Sequence, residues 1–65
     1  MTAEQFIATR KLLGLSQKGL AQALGMSLSR IVDYELGYTR GRNNEAVIPR
    51  VVAIAVNALL QNVTQ

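Results

Sequence analysis

The sequence predicts an all-α domain of four helices. Apolar residues recur at helical spacing in four segments, and a hydroxyl residue or a proline stands at the start of each. Gly14, Gly25 and Gly37 close the first three. The 65 residues make a single domain, 1–65, without an internal repeat, a linker or a strand pair marked by a hairpin signal.

Helix 1 is expected over about 3–13. Thr2 followed by Gln5 reads as a capping box, and Phe6, Arg10 and Leu13 then share one side. Ser16 can cap helix 2, about 17–24, with Leu20, Ala21 and Leu24 as its inward stripe. Ser27 caps again only two residues after Gly25, so helix 3, about 28–36, must leave at a steep angle. At 100° per residue, Ile31, Tyr34 and Glu35 share its inner side, Ser29, Val32, Asp33 and Leu36 look outward, and Leu28 and Arg30 lie on the flanks. Residues 38–46, YTRGRNNEA, lack periodicity and read as a polar, basic loop. Pro49 suits the first position of helix 4, about 49–61, because its missing N–H would be unpaired there anyway.

Composition narrows the function classes. The chain has no His and no Cys, which removes the commonest general base, the most nucleophilic side chain and the usual transition-metal ligands. Its four carboxylates, Glu4, Asp33, Glu35 and Glu45, are too scattered to suggest a hydrolytic pair or a metal cluster, so an enzyme is not expected, nor a metal, a cofactor or a small-molecule ligand. A net charge of +3 favours an anionic partner, although such an excess also serves solubility. The opening residues have neither the basic nor the apolar region of a secretory leader, and the apolar run 51–60 is half the ~20 residues that span a bilayer. A cytoplasmic protein away from the membrane is the default expectation.

The most specific feature is the spacing between helices 2 and 3. Leu20 and Leu24 are apolar, Ala21 is small where two helices must approach, Gly25 occupies the turn, and Met26, Ile31 and Tyr34 complete the seam. Residues 13–37, LGLSQKGLAQALGMSLSRIVDYELG, resemble the helix-turn-helix of the Cro and phage-repressor family of transcriptional regulators, with the run SQxxLAxxLGxS intact. The resemblance covers helices 1 to 3, and helix 4 more loosely, and implies a lambda-repressor-like fold. Gly19 departs from it, replacing a charged helix former at a cost of roughly 0.5–1 kcal/mol relative to Ala. The loop after helix 3 is also longer and richer in Arg than is common in the family.

The family pattern implies a partly buried pair between Arg10 of helix 1 and Glu35 of helix 3, and both residues lie on the inner stripes of their helices. It further implies that helix 3 enters the DNA major groove, with Leu28, Ser29, Val32 and Asp33 at the base-facing positions. Ser29 can bond several base edges, Leu28 and Val32 can touch a thymine methyl, and Asp33 can accept from cytosine N4 or adenine N6. Phosphate contacts are implied for Ser16, Gln17 and Lys18 at the start of helix 2 and for Ser27 and Arg30 on helix 3. In the loop they are implied for Tyr38, Thr39, Arg40, Arg42, Asn43 and Asn44. The same loop also reads as a solvated connection, and Arg40 or Arg42 as a minor-groove insertion.

Helix 4 is apolar on every side, more than one packed face requires. Either it is fully buried in a monomer, or Val51, Val52, Ile54, Ala55, Val56 and Leu59 form a homodimer interface that sets two recognition helices on an inverted repeat of double-stranded DNA. The expected function is a sequence-specific DNA-binding regulator, most simply a repressor, in the style of short autoregulators of phage, mobile-element or anti-CRISPR operons. The competing expectation is an antitoxin or adaptor that binds another protein through Leu28, Val32 and Leu36 or through helix 4.

Overall fold

A computed structural model describes residues 1–39 and 44–64. Four helices, α1 (Ala3–Leu12), α2 (Gln17–Leu24), α3 (Leu28–Leu36) and α4 (Arg50–Thr64), enclose one core. α1 begins at a capping box in which Thr2 Oγ1 accepts from Gln5 N–H at 3.1 Å while the Thr2 N–H donates to Gln5 Oε1 at 2.9 Å. It ends in a Schellman turn: Leu15 N–H donates to the Arg10 carbonyl at 3.3 Å and Gly14 N–H to that of Lys11 at 3.0 Å.

The same device closes α2, with Met26 N–H on the Ala21 carbonyl at 2.9 Å and Gly25 N–H on that of Gln22 at 3.3 Å. Gly25 has φ +69°, which an L side chain adopts only with strain. This turn leaves Met26 packed on the core and Ser27 free to accept from Arg30 N–H at 3.2 Å, so α3 starts at once in a new direction.

The core is Phe6, Leu20, Ala21, Ile31, Tyr34, Ile48, Val52 and Val56, with Leu13, Leu15, Leu24, Met26, Ala46 and Leu59 packed around it. Phe6 and Tyr34 meet edge to face, ring centroids 5.8 Å apart, and so lock α1 to α3. α4 covers α1 and α2, sending Val52 and Val56 inward one turn apart.

Two elements differ from the sequence reading. The expected loop carries a short antiparallel ribbon, β1 (Tyr38–Thr39) and β2 (Asn44–Glu45), with Tyr38 opposite Glu45 and Thr39 opposite Asn44. Tyr and Thr favour extended backbone, and Gly41 and Asn43 between the strands are turn formers, a signal too short to stand out from the polar composition. Pro49 lies one place before α4, and its carbonyl accepts from Val52 at 3.0 Å and Ala53 at 3.1 Å.

Candidate nucleic-acid interface

α3 has two dissimilar sides. Ile31 and Tyr34 are buried and Glu35 is mostly covered, whereas Ser29 and Arg30 are exposed, Val32 and Asp33 are half-buried, and Leu28 and Leu36 are 45% and 46% exposed. The four residues expected to face bases therefore lie together on the outer side. They form a surface with one hydroxyl, one carboxylate and aliphatic groups, suited to reading base edges and thymine methyls rather than to attracting phosphate.

An ion pair holds the inner side. Arg10 Nε donates to Glu35 Oε2 at 2.7 Å and Arg10 Nη2 to Glu35 Oε1 at 3.2 Å, a two-point contact with side-chain exposures of 15% and 8%. Arg10 Nη1 also donates to the Leu15 carbonyl at 3.0 Å. The fourth member is Gln17, whose Nε2 donates to Glu35 Oε1 at 3.2 Å. Gln17, expected at a phosphate, gives one of its two amide N–H groups to Glu35, because the first residue of α2 docks against the last turn of α3 and a carboxylate has acceptor sites left after Arg10. The sequence carried only a faint sign of this, a long amide side chain beside the turn that joins α1 and α2.

At the start of α2 the Ser16 hydroxyl accepts from Gly19 N–H at 3.0 Å. Lys18 is exposed beside it. Ser16 and Ser27 are thus caps whose hydroxyl protons can still be donated outward.

Between α3 and the ribbon runs an open groove of about 640 Å³. Ser27, Ser29, Arg30 and Asp33 line it from α3, and Thr39, Glu45 and Val47 from the other bank. Glu45 and Val47 were not expected at this surface from the sequence, since only the folding-back of the ribbon brings them beside α3. Tyr38, on β1, is exposed. Arg40, Arg42 and Asn43 lie outside the described residues, and of Asn44 only its place in β2 is described.

The outer side of α4 carries Val51 and Ile54, 73% and 59% exposed, with Ala55 half-buried and Val47, 67% exposed, just before the helix. Val52 and Val56, which the sequence reading placed at a dimer interface, belong to the core of their own chain, and Leu59 packs against it. Val52 and Val56 are an i, i+4 pair and so share the inward face of α4. Among the described residues no helix is long and apolar enough to cross a membrane, and no group of His, Cys, Asp and Glu could hold a metal ion.

Neither the curated proteins nor the solved structures contain a match to this chain. The family model for the helix-turn-helix matches residues 7–40, which run from the middle of α1 through α2 and α3 to the first strand, just over half of the chain. The chain belongs to the helix-turn-helix family of Cro type, and it is a DNA-binding transcriptional regulator.

Proposed function

We propose that the protein is a homodimeric repressor that binds an inverted repeat in double-stranded DNA and blocks transcription by occupying a promoter. α3 lies in the major groove, where Leu28, Ser29, Val32 and Asp33 read base edges. The observation that carries this reading is the outer side of α3: Leu28, Ser29 and Leu36 are exposed and Val32 and Asp33 half-buried, while the Arg10, Gln17 and Glu35 network and the Phe6 and Tyr34 rings hold its inner side.

Such a face supplies discrimination, so attraction must come from its surroundings. Lys18 and the free N–H groups at the start of α2 sit on one side, and Arg30 sits on the flank of α3. Arg40 and Arg42, outside the described residues, follow in the chain as further sources of positive charge. Dimerisation uses the exposed aliphatic strip of Val51, Ile54 and Ala55, with two-fold symmetry placing the α3 helices about 34 Å apart, one turn of DNA.

Selection of bound duplexes from a random pool tests the reading. Enrichment of two inverted half-sites about 10 base pairs apart, centre to centre, is the expected result. Enrichment of nothing overturns it and favours an adaptor that uses the Leu28 and Leu36 surface to bind another protein.

A further inference from the structure

Glu45 and Arg50 are exposed and opposite in charge, and among the described residues neither makes an ion pair. Between them in the chain stand Val47, 67% exposed, and the buried Ile48. Arg50 opens α4, whose first turn holds no acidic residue, so a guanidinium stands at the positive end of the helix dipole without the counter-charge that such an end favours. It shares a side of α4 with Ile54, four residues on, and so borders the exposed strip of Val51 and Ile54. Glu45 and Val47 line the groove beside α3. The chain therefore runs from one bank of that groove into the aliphatic strip, with an acid at the first and a base at the second.

We infer that Glu45 of each protomer pairs with the partner's Arg50, and that this exchange neutralises the carboxylate on the far bank of the α3 groove, so that the DNA-facing site is complete only in the dimer. The inference rests on the homodimer proposed above and adds to it what sets its register. A two-fold interface brings each patch against its own copy, so a patch with an acid and a base at the two ends of an apolar stretch is complementary to itself. In the monomer Glu45 opposes any phosphate that approaches the groove. Pairing removes that charge, and dimerisation and DNA binding are thereby coupled.

Charge exchange on the full chain tests this, since both side chains are exposed and their replacement leaves the fold intact. In sedimentation equilibrium at low salt, Glu45→Lys and Arg50→Glu should each weaken self-association about tenfold, and the double variant should return to within about threefold of the parent. A double variant that associates no better than the weaker single overturns the inference. Fluorescence anisotropy on a duplex with one half-site, at concentrations where the protein is monomeric, reads the groove alone. There Glu45→Gln should tighten binding about twofold to threefold, and Arg50→Gln should leave it unchanged. Unchanged or weaker binding by Glu45→Gln overturns the inference, and so does a loss with Arg50→Gln, which would make Arg50 a phosphate contact. A parent that stays monomeric both in solution and on the duplex with two half-sites removes the homodimer itself, and the inference with it.

Discussion

Arg10 and Glu35, on helices with no sequence contact between them, meet through two hydrogen bonds of 2.7 and 3.2 Å in a nearly closed site. Desolvation offsets much of the attraction in such a pair, so its value shows when one partner is removed. Arg10→Met leaves a mostly covered carboxylate with Gln17 alone, and the expected loss is about 3 kcal/mol, comparable to the total stability of a domain this small. Thermal melting by circular dichroism should find the variant largely unfolded near 37 °C. The double variant Arg10→Met with Glu35→Leu should regain much of the loss. A melting temperature unchanged by Arg10→Met alone would show that the pair is irrelevant to stability.

Gly19 presents a different balance. Replacing a mid-helix Gly by Ala ordinarily gains about 0.5–1 kcal/mol. Here a Cβ would stand 3.3 Å from Ser16 Oγ, the atom that accepts the Gly19 N–H, and 3.5 Å from a Leu15 methyl. Crowding the cap should offset most of the gain, so Gly19→Ala is expected to change stability by less than about 0.5 kcal/mol. In a Ser16→Ala background the same substitution should recover its full helix-propensity gain. Denaturant titration of the four proteins decides between this and a simple propensity effect.

The helices were legible because their signals are local. Thr2, Ser16 and Ser27 each cap the helix that follows, and Gly25 takes the left-handed turn that the spacing of Leu24 and Met26 required. The inward placement of Ile31, Tyr34 and Glu35 follows from their period alone. Three features were hidden for physical reasons. The ribbon has two residues per strand, below the length at which alternation is visible. Apolar residues surround the first turns of α4, so which of its sides faces inward depends on where the other helices lie, and Val52 and Val56 could not be told from Val51 and Ile54. Gln17 could not be assigned to Glu35 from spacing, since their contact crosses 18 positions and arises only when α2 and α3 dock.

That division of α4 yields a paired test. Val56 is fully buried and Val51 is 73% exposed. Val56→Ala should cost roughly 2 kcal/mol through lost burial and the cavity left behind. Val51→Asp should leave the fold of the isolated chain within about 0.5 kcal/mol of the parent, as surface substitutions do, while weakening self-association. Sedimentation equilibrium at micromolar concentration separates the two effects. A parent that is monomeric there, or a Val51→Asp variant that dimerises as well as the parent, removes α4 as the proposed interface.

Asp33 and Arg30, both bordering the groove beside α3, should act on DNA in opposite ways. Arg30 is exposed on the flank, and loss of one phosphate contact should weaken binding to every duplex and lower the slope of log affinity against log salt by about 0.9. Arg40→Ala with Arg42→Ala should lower it by about 1.8 if both meet phosphate. Asp33 brings a negative charge near phosphates and an acceptor for a base amino group. Asp33→Ala is therefore expected to relax preference at one base pair, with about 1–3 kcal/mol of discrimination lost, while binding to unrelated duplex holds or strengthens. Competition binding against single-base variants of the selected site, repeated over a range of salt, measures both quantities. An Asp33→Ala protein that loses affinity for all duplexes equally would place Asp33 in holding the fold of α3 rather than in reading DNA.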